Sequence, residues 1–498
     1  MMTRCTLALI LSLAVSVASV AGFTQSRPPR TERGERDVRD VLGVVHVAGR
    51  YHLTDKDFLS EGADQILALG ARVIKVWFYG KNDRRPAGSY PYNSNWPRVG
   101  SLVEGAQTPY YKALFEKPFH TYVLMVTSLG RDDGYWRNGI TEAQKQDESR
   151  QFYELARHFL TAYKGTGKTF VLQHWEGDWM VRGSFNGRAD PTDEALRNMV
   201  EWLNARQDGV DRARREVGQH GVRVYHAAEV NRVVSSMRDG SPNMVNRVLP
   251  HTHVDLVSYS AWDSATAHYA DPNVLRDALD FIAAHVPDSP GFGSRNVYLG
   301  EFGMPENSHP LERIQTAVPN AVQTGLDWGC PYLLYWQLYC NEQRDSSVPP
   351  PVKSNDAVRG FWLIRPDGSK AWTWHYFHGL LTRKAHLYVH PAGSDTWSGT
   401  LPEPDPAWED RPLAERWNFF LEVRGEVTRA LEIARAEKRI GHGLDAAVTL
   451  YAGAETCRRL APFADQLSTL LIVSSASLLE ATAPAGAFKA EGVPELAV

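Results

Sequence analysis

Between residues 41 and 382 the chain alternates short apolar runs with longer stretches in which apolar residues recur every three or four positions. The apolar runs start at Val41 (VLGVVHV), Arg72 (RVIKVWFYG), Thr121 (TYVLMVTSL), Thr169 (TFVLQHW), Val222 (VRVYHAAEV), Val254 (VDLVSYSAW), Asn296 (NVYLGEF) and Pro331 (PYLLYWQLY). Apolar residues stand at consecutive positions in these runs, the pattern of strands covered on both faces in a parallel sheet. Between them DFLSEGADQILALGA, ESRQFYELARHFLTAY, NVLRDALDFIAAHV and LERIQTAVPNAVQTGLDWG carry the spacing of amphipathic helices. Eight strand–helix units in residues 41–382 predict an α/β fold, a (β/α)8 TIM barrel. The alternative is an open doubly wound sheet, which would place a glycine-rich turn after the first strand, and none stands there.

The texture changes after residue 382. Residues 383–410, with HPAGSDTWSGTLPEPDPAWED, are rich in Pro, Gly, Ser and Asp and read as a linker. A long helix is expected next, with Asp410 as cap, Pro412 in its first turn, and Gly441 and Gly443 at its end. Leu413, Trp417, Phe420, Val427, Leu431 and Ala434 fall on one face of it. AAVTLYA then reads as a strand, TCRRLAPFADQLSTLL as a helix and LIVSSASLL as a strand, so residues 411–498 form a small α+β module. That module is expected to fold on its own two strands or against the outer helices of the barrel. KGTGKT at Lys164 has the look of a phosphate loop, but Ala162 stands where the first glycine belongs, and the segment leads from helix into strand. It reads as a turn.

At the N-terminus, Arg4, the apolar stretch from Leu7 to Val20 and the small residues Ser19 and Ala21 read as a signal peptide, residues 1–21. Residues 22–40 read as a flexible leader. The apolar stretch is too short for a stable membrane span, so a secreted or periplasmic protein is expected. Three cysteines follow, Cys330, Cys340 and Cys457; the first two flank one predicted strand and lie too far apart to bridge. No Cys/His spacing points to a metal, and no cofactor is expected. A net charge of -4 points away from nucleic acid and anionic lipid.

Within this frame two carboxylates stand out. Glu301 ends the apolar run VYLGEFG between two glycines, and Glu176 follows TFVLQHW among tryptophans. Two carboxylates at the C-terminal ends of separate barrel strands are what hydrolysis of a glycosidic bond requires. A structural ion pair at a strand end is the competing reading for either one. Asp178 is a rival acid, because it would share a face with Glu176 if the strand ran on that far. The 15 Trp and 20 Tyr, with many Trp at predicted strand ends, suit a cleft that stacks sugar rings, although ordinary packing accounts for most aromatics.

On GEFG after the seventh strand the barrel region resembles the retaining (β/α)8 glycoside hydrolases of the cellulase and mannanase type. The resemblance implies Glu301 as nucleophile and Glu176 as general acid/base. It also implies Trp336 as floor of the site and Tyr259 as a hydrogen-bond partner of Glu301. Two positions depart from the family pattern. Trp175 precedes Glu176 where an Asn is usual, and Lys75 stands where the second strand usually offers an Arg. Trp175 and Trp179 would keep Glu176 protonated, and Lys75 would help to hold Glu301. Trp77, His226, Glu229 and Trp262 complete the expected subsites for a poly- or oligosaccharide, with Trp175 and His174 open to a core role as well.

The segments WNFFLEVRGEVTRALEIARAEKRIGHGLDAAVTLYA and LIVSSASLL resemble the C-terminal, tRNA-binding region of bacterial isoleucyl-tRNA synthetases over residues 402–479. Neither catalytic signature of those enzymes nor a four-cysteine zinc site accompanies them. IGHGL at Ile440 ends a helix, and the tail is more acidic than basic. A gene fusion or a misjoined gene, with no nucleic-acid partner, is the resulting expectation. A tRNA-ligase-related protein and a catalytically silent glycan-binding barrel are the alternatives to an exported glycoside hydrolase.

Overall fold

The computed structural model describes residues 37–78, 97–382, 411–441 and 443–498. The expected signal peptide, most of the leader and the linker over 383–410 lie outside the described residues. The chain divides into two compact units, Met1–Leu387 and Tyr388–Val498.

In the first unit eight parallel strands close into a barrel in sequence order. They are β1 (Leu42–Val45), β2 (Val73–Trp77), β3 (Thr121–Met125), β4 (Thr169–Gln173), β5 (Arg223–Val230), β6 (Leu256–Ser260), β7 (Val297–Phe302) and β8 (Leu333–Tyr335). Closure is made by β1 on β8, with Leu42 opposite Leu333. Every strand lies inside one of the apolar runs, because a barrel strand is covered by side chains within and by helices without. Helices such as Phe58–Leu69, Glu142–Ala162, Asp193–Val217, Pro272–His285 and Leu311–Trp328 supply the outer layer. Local chemistry sets their ends. Asp57 caps the first through the Ser60 N–H, Gly70 closes it at φ 105°, and Thr141 with Gln144 forms a capping box on the second. Between layers, Phe159 stacks on Phe170 with ring centroids 4.1 Å apart.

The last residues of the stretch expected to be a flexible leader, 22–40, are ordered. Val38–Asp40 forms a 3-10 turn. Arg72, just before β2, pairs with Asp37 at 2.9 Å and Asp40 at 2.7 Å and ties that turn down. Cys340 and Cys457 are free thiols. Among the described residues no helix is long and apolar enough to cross a membrane.

The second unit has its own core. A helix, Arg411–Ala436, precedes β9 (Ala447–Ala452) and β10 (Ser475–Glu480), which pair in parallel. Phe420, Val423 and Val427 on the helix are buried with Leu450, Leu460 and Leu467. Two details differ from expectation. The helix stops at Ala436, ahead of Gly441, and Lys438 turns the chain with φ 58°. The segment around Pro462 is a short helix, a 3-10 stretch and a second short helix, since proline has no N–H to continue the first.

Candidate active site

Strand periodicity decides what enters the barrel. Side chains alternate between the lumen and the helix layer, so Lys75, Gln173, Glu229, Ser258 and Glu301 meet inside near the C-terminal end. The Lys75 ammonium donates to Glu229 Oε1 at 2.9 Å, Glu301 Oε1 at 3.0 Å and the Gly300 carbonyl at 3.2 Å. Glu229 Oε1 also accepts from Ser258 Oγ at 2.8 Å and Gln173 Nε2 at 3.1 Å. Tyr298 in turn donates its hydroxyl to Gln173 Oε1. Gly300 is required by this crowding: a Cβ there would stand 1.8 Å from Ser258 Oγ and 3.1 Å from Glu229 Oε1.

Glu301 points its other oxygen toward Trp262, whose Nε1 donates to Oε2 at 3.3 Å. Burial pushes the Glu301 carboxyl above the usual range, Lys75 draws it back, and the charge of Glu229 adds to the rise. For Glu229 burial also pushes upward, but Lys75 and the Glu176 N–H outweigh it and hold that carboxyl below its ordinary value. Glu229 is thus the firmly ionised member of the pair. Lys75, despite complete burial, stays charged because both carboxylates face it.

Glu176 lies just beyond β4 and begins the helix Gly177–Arg182. Its backbone takes φ 30°, ψ 70°, a left-handed conformation uncommon for a residue with a Cβ. The Glu176 N–H donates to Glu229 Oε2 at 2.7 Å and holds the chain there. The Glu176 carboxyl makes no hydrogen bond to a described residue and retains 8% exposure. Burial first, then the charges of Glu301 and Glu229, push it up to about 9, so it carries a proton at neutral pH.

Aromatic side chains flank the two acids. Trp77 and Trp175 lie with centroids 6.5 Å apart, and the exposed Phe185 contacts both Trp175 and Trp179. Opposite them in sequence order, Trp262 meets Trp336 edge-on at 6.4 Å and Phe361 at 5.4 Å. A cavity of about 10 Å³, room for one water, lies between Trp77, Thr127, Asp133, Trp175 and Trp202.

Four expected site residues are placed otherwise. Tyr259 faces the helix layer and donates to Asp263 at 2.6 Å and Ser264 at 2.7 Å, so the partner of Glu301 is Trp262 instead. His226 is buried against Phe152 and Gln207, on the face of β5 opposite Glu229. Glu229 is fully buried, and its carboxylate is taken up by Lys75, Gln173, Ser258 and the Glu176 N–H. Asp178, the expected rival acid, turns its carboxylate to backbone instead. It accepts N–H groups of Asn231, Arg232 and Met244 at 2.9, 3.1 and 2.8 Å and braces the loop after β5. Gln173, Ser258 and Phe361 join the site without having been anticipated. Gln173 and Ser258 are polar residues in otherwise apolar strands, which is a readable signal; Phe361 sits on a loop with none.

No family model matches the chain. Similar solved structures include a GH5_18 protein from Streptomyces cattleya in complex with GlcNAc, at 13% identity and a TM-score of 0.45 over 89% of this chain and 94% of that one. Another is the exo-beta-1,4-mannosidase Op5Man5 from Opitutaceae bacterium strain TAV5, at 14% identity and a TM-score of 0.44 over 70% and 60%. Among curated proteins, the isoleucine–tRNA ligase of Geobacter sulfurreducens is 44% identical over 102 residues, 20% of this chain and 10% of that one. That of Streptococcus thermophilus is 40% identical over 93 residues. The chain spans about a tenth of the length of these ligases. It is therefore similar over its barrel to family 5 glycoside hydrolases in solved structures, and over a short C-terminal region to bacterial isoleucine–tRNA ligases.

Proposed function

We propose that the barrel is a glycoside hydrolase that cleaves a β-linked glycan with retention of configuration. One observation carries this reading: Glu176, just beyond β4, and Glu301, on β7, are tied to one buried Lys75–Glu229 pair, Glu176 through its N–H to Glu229 and Glu301 through Lys75, with Trp262 on its other oxygen. Burial and the neighbouring carboxylates favour the protonated form of Glu176. A retaining site needs this division of labour, with the two carboxyl groups about 5 Å apart.

In the first half-reaction the ionised Glu301 attacks the anomeric carbon while Glu176 gives its proton to the departing glycosidic oxygen. Lys75 and Trp262 hold Glu301 in place and favour its charged form before attack. In the second half-reaction Glu176, now a carboxylate, takes a proton from water, whose oxygen displaces Glu301 from the sugar. Trp77, Trp175 and Trp336 offer ring faces for the apolar sides of the sugar. Export belongs to the same proposal, through the signal peptide of residues 1–21. The tail is read as a self-packed module that neither activates isoleucine nor binds tRNA. The test is a panel of aryl β-glycosides and β-linked oligosaccharides; cleavage that disappears in Glu301→Gln supports the reading, and no cleavage of any member opposes it.

A further inference from the structure

Glu229 has no part in the two-carboxylate scheme, yet more of the site converges on it than on either acid. It is fully buried on β5 and accepts from four groups on three neighbouring segments: Lys75 at 2.9 Å, Gln173 at 3.1 Å, Ser258 at 2.8 Å and the Glu176 N–H at 2.7 Å. Its own N–H donates to His174 Nε2 at 2.9 Å. We propose that Glu229 is a positioning residue that couples the two acids: Oε2 fixes the left-handed backbone of Glu176, while Oε1 divides the Lys75 ammonium with Glu301.

Two physical consequences follow from this geometry. A non-glycine residue at φ 30° persists only where its surroundings over-determine it, and the 2.7 Å bond from a charged acceptor to the Glu176 N–H is such a restraint. The second consequence is electrostatic. Lys75 is the cation in contact with both Glu229 and Glu301, so a charge on Glu229 weakens its hold on Glu301. That same charge faces Glu176 and opposes its ionisation. Glu229 therefore keeps both acids more basic than they would be alone. The titratable groups facing it are Lys75 from β2, His174 and Glu176 from the β4 end, and Tyr298 and Glu301 from β7. His174 is held neutral by burial, near 4, and burial also keeps Tyr298 protonated. Between pH 5 and 9 the carboxyls and Lys75 alone decide the balance.

This inference deepens the proposed hydrolase reading, but it has a readout that does not need turnover. The experiment is a pH titration of ¹³C-labelled glutamate carboxyls by NMR in the full-length protein, with Glu176→Gln assigning one resonance and Glu301→Gln the other. In Glu229→Gln both midpoints should fall, Glu176 by about one pH unit or more. Glu229→Asp keeps the charge and should return the midpoints most of the way to those of the unsubstituted protein. Unmoved midpoints in a folded Glu229→Gln protein would overturn the inference. Should Glu229→Gln fail to fold, Glu229→Asp decides: its carboxylate is withdrawn by one methylene, so a Glu176 midpoint somewhat lowered supports the coupling and an unchanged one opposes it. A hydrolysis panel run beside the titration separates the two ideas. No cleavage with shifted midpoints defeats the hydrolase reading alone, and cleavage with unmoved midpoints defeats the coupling alone.

Discussion

The Lys75 ammonium lies 3.0 Å from Glu301 Oε1, and both groups are closed off from solvent. A buried cation with two carboxylates is stable only as a set, because removing one member leaves a charge without compensation. Lys75→Met should therefore cost about 3–5 kcal/mol in folding stability. Lys75→Arg should not restore the site fully, since one Nζ donates to Glu229, Gly300 and Glu301 at once, and the planar guanidinium fork presents its donors in a different geometry. Urea unfolding of both variants checks this; a Lys75→Met protein as stable as the parent would show that the set is not held by charge.

The two acids should separate by leaving group. Glu176→Gln should slow substrates with poor leaving groups by about 100-fold or more, and activated aryl glycosides far less, because only the former need a proton. Glu301→Gln should abolish turnover of both while leaving glycan binding largely intact. Equal losses on the two substrate types in Glu176→Gln would remove it from the acid role.

The pH profile should be a bell. Its basic limb lies near 9, where Glu176 loses its proton, and its acid limb lies above the ordinary glutamate range, where Glu301 gains one. Stability follows the same group with the opposite benefit. The folded Glu176 is more basic than the unfolded one, so its contribution is fully present below about pH 4.3 and is lost as pH rises toward 9. Glu176→Gln should then be more stable than the parent at neutral pH by about 0.5–2 kcal/mol, with the gain shrinking below the unfolded value. Thermal unfolding at pH 4 and pH 7 tests the sign.

Gly300 gives a steric test of the same centre. With a Cβ placed 1.8 Å from Ser258 Oγ, Gly300→Ala must push β6 or β7 aside, at a cost of about 1–3 kcal/mol and with loss of the Glu301 geometry. Pairing it with Ser258→Ala should recover part of the stability, which a double-mutant cycle would measure.

The barrel was legible because each strand is an apolar run, and runs of this kind survive without knowledge of their neighbours. Glu176 and Glu301 were legible as charges at the ends of such runs. What faces inward was harder. His226 and Glu229 are three residues apart on one strand, so they cannot share a face, and expecting both in the cleft set aside the period of two. Tyr259 falls outside for the same reason, since Ser258 and Ser260 flank it in a strand whose Ser258 reaches Glu229. The Asp178 expectation assumed that the strand continues, whereas β4 ends at Gln173 and a helix starts at Gly177. The support role of Glu229 depends on five strands meeting at one point, which no local pattern in the chain encodes.

For the tail, its own buried core around Phe420, Val423 and Leu450 suggests independent folding. Deleting residues 402–498 should leave hydrolysis unchanged, and the full-length protein should show no isoleucine-dependent pyrophosphate exchange. Phe420→Ala should lower the stability of this unit by about 3–5 kcal/mol without altering hydrolysis. Exchange activity, or hydrolysis lost on truncation, would contradict the fusion reading.

The most direct measurement is NMR observation of the first-formed product anomer from a β-glycoside, in the full-length protein and in Glu301→Gln. The account expects the β-anomer first in the parent and no product in the variant. An α-anomer first, or undiminished cleavage in Glu301→Gln, would contradict it.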